Sequence, residues 1–171
     1  MNRNLFLFIT LLQMFFVKLN FAGDLDVNGM VSGSLIETEN AIIINGATFV
    51  PTDNNVPAIS IRKNLPKRVI ISKVRVLSNN QKVRGNSDAG AGVVVIDNSN
   101  SRSRVNVRDV KVTSRNANIS NTSMAKDVCA GVVCSSLGKN DSYKSLSVHT
   151  FGNTKISATQ GERPDYRKIQ H

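Results

Sequence analysis

Valine and isoleucine alternate with polar residues in several short segments of the chain. The clearest are KRVIISKVRVLS at 67–78, RVNVRDVKVT at 104–113 and SLSVHTF at 145–151. An alternation of period two places successive side chains on opposite faces of a β-strand. The breaks between these segments are rich in Asn, Ser and Gly, which favour turns. No apolar stripe at helical spacing follows residue 22, so the pattern predicts an all-β domain.

Shorter apolar runs precede these segments. The run DLDVNGMVSGSLI at 24–36 predicts two short strands around Asn28-Gly29, a dipeptide that is favoured in hairpin turns. AIIINGATFVP at 41–51 predicts a further strand, which Asn45-Gly46 interrupts and Pro51 stops. Another short apolar run, AISI, begins after Pro57. Turn residues thus separate each predicted strand from the next.

Two parts of the chain can be aligned with each other. Residues 74–80 correspond to 110–116 at an offset of 36, and residues 91–95 correspond to 130–134 at an offset of 39. A third, weaker copy follows in SLSVHTFGN. If the copies occupy equivalent rungs, their Val and Ile residues share one interior. Asn then suits the corners, because it tolerates the left-handed backbone conformation better than other non-glycine residues.

The succession of strand, Asn-rich corner, short strand, loop and AGVVV strand covers about residues 69–157. This succession resembles the right-handed parallel β-helix repeats of the pectate-lyase-like superfamily. The resemblance implies a short right-handed parallel β-solenoid, in which each coil packs only on its neighbours. An antiparallel Greek-key β-sandwich is the alternative, because its short strands and regular turns produce a similar pattern.

The N-terminal residues have the layout of a secretory signal. Arg3 is followed by an apolar run over 5–17, which is too short to span a bilayer as a helix, and Ala22 provides a small residue for cleavage. An uncleaved anchor is the alternative. The predicted organisation is a signal peptide at 1–22, one β domain at 23–160 and a polar tail at 161–171. A cleaved signal leaves no transmembrane segment and predicts a secreted, periplasmic or cell-surface protein.

The charge of the chain is divided unevenly. Residues 23–57 contain five acidic residues and no Lys or Arg, whereas residues 58–171 contain 20 Lys and Arg against seven acidic residues. The two parts therefore carry −5 and +13. Such an asymmetry bears on partners and solubility rather than on fold.

Basic residues occupy the polar positions of two alternating segments. Outward Lys and Arg from these segments would lie on one sheet face and would form a basic strip if the copies stack: Lys73, Arg75, Arg102, Arg104, Arg108 and Lys111. Stacked guanidinium groups suit carboxylate, sulfate or phosphate groups. Alternatively, charged outward positions only maintain solubility and protect strand edges. Nucleic acid is not the predicted partner, because no aromatic residues are interleaved for base stacking.

Few residues offer catalysis or metal binding. The β-helix resemblance implies polysaccharide lyases and hydrolases, which use clustered Asp residues with a nearby Arg or Lys, but no position here matches their motifs. For an enzyme, Asp88 and Asp127 are the only proposed acid/base pair, because both precede an Ala-Gly-Val-Val strand. We predict no cofactor.

The segment DLDVNG imitates the start of a calcium loop, with Asp24, Asp26, Asn28 and Gly29 at the appropriate spacing. The twelfth position of such a loop should be a bidentate Glu, and here it is Leu35. A turn explains the same residues, so we predict no metal site.

Cys129 and Cys134 are the only cysteines. Two thiols outside the cytoplasm usually form a disulfide. An extended strand would separate the two Cα atoms by about 16 Å, whereas a disulfide needs less than about 7 Å. Either CAGVVC turns at Ala130-Gly131 and forms the disulfide, or it is a strand with two free thiols.

These patterns together predict an exported protein associated with a surface or envelope, with a binding or structural role. Its predicted ligand is an acidic glycan or another anionic surface, bound through the basic strand face. A polysaccharide-cleaving enzyme and a subunit of a surface fibre are the alternatives.

Overall fold

The computed structural model describes residues 25–61, 68–86, 90–97, 104–123, 129–136 and 141–158. These residues form twelve strands and no helix, which confirms the predicted all-β class. The strands are β1 (Leu25–Val27), β2 (Met30–Glu37), β3 (Ala41–Phe49), β4 (Ile59–Ile61), β5 (Arg68–Asn79), β6 (Arg84–Gly85), β7 (Ala91–Asp97), β8 (Val105–Arg115), β9 (Asn118–Asn121), β10 (Ala130–Ser136), β11 (Ser142–Phe151) and β12 (Lys155–Ala158).

The strands form three sheets, in the orders β1-β4-β7-β10, β11-β8-β5-β3-β2 and β12-β9-β6. Among the described strands, only two pairs are antiparallel, β1 with β4 and β2 with β3, and each includes the first strand of its sheet in chain order. Every other pair in the three sheets is parallel. In each sheet, the strands therefore lie side by side in the order in which they occur along the chain.

The sequence alignment correctly predicted which residues pair across the sheets. Val74 of β5 is the Cα partner of Val110 in β8, at the offset of 36, and the two strands are parallel. Ala91 of β7 is the partner of Ala130 in β10, at the offset of 39. The weaker third copy also pairs in parallel, since Val148 of β11 is the partner of Val112.

The core consists mainly of Ile and Val on the inward side of the alternating strands. Val105, Val107, Val110 and Val112 of β8 are all buried, and the residues between them are partly or fully exposed, as the alternation predicts. Strand β7 differs, because all seven of its residues are buried. Its continuous AGVVVI run is typical of a strand that is covered on both faces.

Left-handed residues recur at equivalent positions along the chain. Two series of residues, each spaced by 36 positions, have φ between 52° and 67°. The first series is Lys73, Asp109 and Ser145, and the second is Asn80, Asn116 and Gly152. The first series kinks β5, β8 and β11 in mid-strand, and the second lies at or just beyond the end of each strand. The predicted left-handed Asn corners are thus confirmed at Asn80 and Asn116.

The strands β1 and β2 do not form a hairpin, although Asn28-Gly29 lies between them. They pair with β4 and β3 in two different sheets. The Asn28-Gly29 turn instead holds the chain that follows β3, because the N–H of Val50 donates to the carbonyl of Gly29 at 2.7 Å. Gly29 has φ +76°, and a Cβ atom there would overlap the Val50 carbonyl. Strand β3 also continues through Asn45-Gly46 rather than ending there.

The predicted signal at 1–22 and tail at 161–171 lie outside the described residues. Within the described ranges, no helix has the length and apolar character needed to cross a bilayer.

Candidate anion-binding face

Basic side chains cover the outward side of β5, β8 and β11. All are exposed, and Asp109 is the one exposed acidic residue described among them. We call this surface the cationic face and define it by these residues: Arg68, Lys73, Arg75, Arg104, Arg108, Lys111, Arg115 and Lys144. It lies on the opposite side of the five-stranded sheet from the buried Val and Ile residues.

The structure brings together five of the six predicted anion-binding residues, namely Lys73, Arg75, Arg104, Arg108 and Lys111. The sixth, Arg102, lies outside the described residues.

The sequence prediction did not include Arg68, Arg115 and Lys144. Lys144 had a usable signal, because it lies 36 residues after Arg108 and is its Cα partner in β11. Arg68 and Arg115 are the terminal outward positions of β5 and β8, and alternation alone identifies them.

Cations of neighbouring strands stand directly beside one another on the cationic face. Arg75 is the Cα partner of Lys111, and Arg108 is the partner of Lys144. Adjacent strands are about 4.8 Å apart, and like charges in opposite positions of a sheet are destabilising. These pairs therefore oppose folding slightly and concentrate positive potential.

Polar contacts between strands hold parts of this face in place. The Ser72 hydroxyl donates to Oδ1 of Asn45 at 2.8 Å, and the Ser142 hydroxyl donates to Oδ1 of Asn106 at 2.7 Å. The Arg108 guanidinium lies 3.6 Å from Asp109, with both side chains about half exposed or more. A pair this exposed is screened by water and contributes little, so most of the positive charge stays available to an anion.

The edge strand β11 carries a tyrosine at an inward position. Tyr143 is the Cα partner of the buried Val107, and it packs against the core while remaining partly exposed. Burial raises the pKa of the Tyr143 hydroxyl well above its ordinary value, and the charge of Asp141 raises it further. The neighbouring Ser135 side chain lowers it in part.

Cys129 and Cys134 form a disulfide, with their Cα atoms 5.8 Å apart. The predicted disulfide is therefore confirmed, and the alternative with two free thiols is wrong. Strand β10 nevertheless begins at Ala130 and includes Cys134, so the segment is a strand that curls. Its neighbour β7 follows the same path. A Cβ atom on Gly92 would lie 2.6 Å from the carbonyl oxygen of Gly131, so this curl depends on glycine at 92.

The residues of the apparent calcium loop serve the fold. The Asn28 amide donates to the carbonyl of Asp53 at 2.8 Å, and its Oδ1 accepts from the N–H and the hydroxyl of Thr52 at 3.2 and 3.1 Å. Asn28 therefore anchors the segment after β3, and Leu35 is part of strand β2. Asp24 lies outside the described residues, among which no cluster of three or more His, Cys, Asp or Glu could hold a metal ion.

The proposed acid/base pair of the enzyme alternative, Asp88 and Asp127, also lies outside the described residues. The strands that follow these residues, β7 and β10, are adjacent and in the predicted register.

Comparisons with protein-family models, with curated proteins and with solved structures find no match for this chain.

Proposed function

We propose that this protein is an exported, short right-handed parallel β-solenoid that binds acidic glycans or other anionic polymers through its cationic face. The parallel pairing of β3, β5, β8 and β11 in sequence order supports a solenoid over an antiparallel sandwich. In such an architecture, each coil adds one rung to a continuous surface, and the outward cations of successive rungs form rows.

The observation that carries the binding proposal is the pairing of Arg75 with Lys111 and of Arg108 with Lys144. Solubility alone requires charges of mixed sign on a surface, and protection of an edge requires cations only on edge strands. Strands β5 and β8 are interior strands of their sheet, and their like charges face one another at a cost in stability. A polyanion lying across the strands would relieve this repulsion.

The chemistry of the face favours sulfate and carboxylate groups on a chain. Arginine offers a planar fork of hydrogen-bond donors that matches such oxyanions. Ser147 is level with Lys111 and Arg75, and Thr113 lies two residues after Lys111 in β8. Because this recognition is electrostatic and exposed, salt should weaken it strongly. The disulfide between Cys129 and Cys134 supports a location in an oxidising compartment.

Retention on a sulfated polysaccharide matrix tests this function. The wild-type protein should elute above physiological salt, and the double variant Arg75→Ser/Lys111→Ser should elute at clearly lower salt. The double variant Lys82→Ser/Arg84→Ser is the matched control, because it removes two exposed cations near and within β6, outside the cationic face. Equal shifts for both variants, or elution of the wild type at or below physiological salt, would overturn the proposal.

Loss of binding is separable from loss of folding. Arg75 and Lys111 are both exposed, and replacing them removes a repulsive pair, so this variant should be at least as stable to urea as the wild type. A variant that is folded but no longer retained assigns the loss to the cationic face.

A further inference from the structure

The two ends of the sheets are less well covered than their middle. Among the described residues, the hydrophobic side chains that pack on the core while remaining partly exposed all lie on the terminal strands: Val27, Met30, Leu35, Tyr143, Leu146, Val148, Ile156 and Ala158. The first three belong to β1 and β2, which are edge strands. The others belong to β11 and β12, the edge strands at the opposite end. We call these the N-terminal edge (β1 and β2) and the C-terminal edge (β10, β11 and β12).

The C-terminal edge repeats the core pattern without a following rung. Leu146 and Val148 are the Cα partners of Val110 and Val112, which are only 3 % and 0 % exposed. The corresponding side chains in β11 are partly exposed because no described strand lies beyond them. Strand β11 also pairs on one side only within the described ranges, so the backbone of its other edge is a template for a further strand.

The N-terminal edge has a matching shape. Strand β11 is kinked at Ser145, which has φ 57° and lies level with the kinks of β5 and β8. Strand β2 follows the same kink through Gly33, which has φ +94° and packs so closely on Ala47 that a Cβ atom would overlap its backbone. The two edges therefore bend at the same level.

Direction, length and charge also agree. Strand β2 runs antiparallel to β3, and β3 is parallel to the inner strands and to β11. If a second copy continued the sheet in the same orientation, its β2 of eight residues would therefore lie antiparallel to β11 of ten residues. The N-terminal edge belongs to the part of the chain, 23–57, that has five acidic residues and no Lys or Arg. Strands β11 and β12 carry Lys144 and Lys155.

We infer that the C-terminal edge of one molecule binds the N-terminal edge of a second copy, so that the molecules stack head to tail. The backbone of β11 pairs with β2 of the next copy. In the register of the sheet, the next Leu35 then covers Tyr143 and the next Met30 covers Val148. Because this contact joins two different surfaces, it leaves one of each free and produces an open series. This inference does not rest on anion binding, since a single copy already carries the whole cationic face.

Blocking each edge separately tests the inference. Leu35→Glu places a charge in the N-terminal edge, and Val148→Glu places one in the C-terminal edge. By sedimentation velocity, the wild type should form a concentration-dependent series of species, and each variant alone should be monomeric. An equimolar mixture of the two variants should form a one-to-one dimer and nothing larger, because each retains the edge that the other lacks.

Three results would overturn head-to-tail stacking. A wild type that stays monomeric at all concentrations shows that the edges are covered within one molecule. A Leu35→Glu variant that still dimerises, with a monomeric Val148→Glu variant, assigns the contact to two C-terminal edges. A mixture that remains monomeric removes the complementarity of the two edges.

A cross-linking experiment at exposed or partly exposed sites does not depend on the folding of the two glutamate variants. Ser34 is the Cα partner of Asn45, and Asn45 is level with Lys144 through Ser72 and Arg108. A mixture of Ser34→Cys and Lys144→Cys should form a disulfide-linked heterodimer on mild oxidation, with the disulfide between Cys129 and Cys134 intact. Lys82→Cys replaces Lys144→Cys in the control, and equal cross-linking in both mixtures would contradict the inference.

Discussion

Val74 and Val110 are Cα partners on adjacent parallel strands, and their side chains are 0 % and 3 % exposed. They are separated by 36 residues in the chain and occupy equivalent inward positions of β5 and β8. This relationship connects the repeated sequence pattern to the shared core. The contribution of these two residues to the free energy of unfolding can therefore be measured directly.

Val74→Ala and Val110→Ala should each lower the free energy of unfolding by about 2 kcal/mol, because each removes buried methyl groups and leaves a cavity. The loss in the double variant should differ from the sum by about 0.5 kcal/mol or more, since neighbouring residues are coupled. Urea denaturation measures all three. Leu77→Ala is the control, because Leu77 is 47 % exposed and its replacement should change stability by less than about 0.5 kcal/mol. Strictly additive losses would contradict the contact between these residues.

The left-handed corner at Asn80 should tolerate glycine better than alanine. Asn80 has φ 57°, a conformation that costs an ordinary L-residue roughly 1–2 kcal/mol. We expect Asn80→Ala to lower the free energy of unfolding by about 1 kcal/mol and Asn80→Gly to change it by less than half as much. Asn79→Ala, one residue earlier and within β5, should behave like an ordinary surface substitution. A larger loss for glycine than for alanine would show that the backbone conformation does not determine the choice of residue.

Removal of the disulfide should weaken the fold by a limited amount. The loop closed by Cys129 and Cys134 is short, because the two cysteines are five residues apart. The loop-entropy relation therefore gives about 2 kcal/mol for Cys129→Ser/Cys134→Ser. Thermal or urea unfolding measures the loss, and reduction of the wild type with a dithiol should reproduce it. If reduced protein and variant are both as stable as the oxidised wild type, the bond does not restrain the unfolded chain.

Tyr143 should make the protein sensitive to alkaline pH. Burial and the charge of Asp141 raise the pKa of the folded state above the ordinary tyrosine value of about 10. The unfolded chain therefore loses this proton first as the pH rises. The contribution of Tyr143 to stability is complete below pH 10 and declines as the pH rises through the folded pKa. The stability difference between the wild type and Tyr143→Phe should be constant below about pH 9 and should shift against the wild type above about pH 10. A constant difference up to pH 11 would remove Tyr143 as the cause.

Much of the cationic face was predictable because outward positions follow from strand periodicity. Lys73, Arg75, Arg104, Arg108 and Lys111 alternate with valine in the sequence, and each is exposed in the structure. Lys144 was omitted because the third copy is weak in sequence, although its offset from Arg108 is the same 36 residues. The register of β11 against β8 therefore came from the structure.

The first strands show why other features were not predictable. Asn28-Gly29 has the residues of a hairpin turn, and local conformation alone does not determine which strands pair across it. Here β1 and β2 separate into two sheets, and Asn28 instead bonds the segment at 52–53. That contact joins residues more than twenty positions apart, so no short-range pattern contains it.

The sequence by itself determined the class of structure, the inward and outward faces of the main strands and the pairing of Val74 with Val110. These follow from the two-residue period of a strand and from the requirement to bury Val and Ile together. Only the tertiary structure decided that the curled strand β10 brings Cys129 to Cys134 and that β1 and β2 part from each other. Both depend on close contact between distant backbones, such as Gly92 against Gly131 and Gly29 against Val50, and such contacts have no period in the sequence.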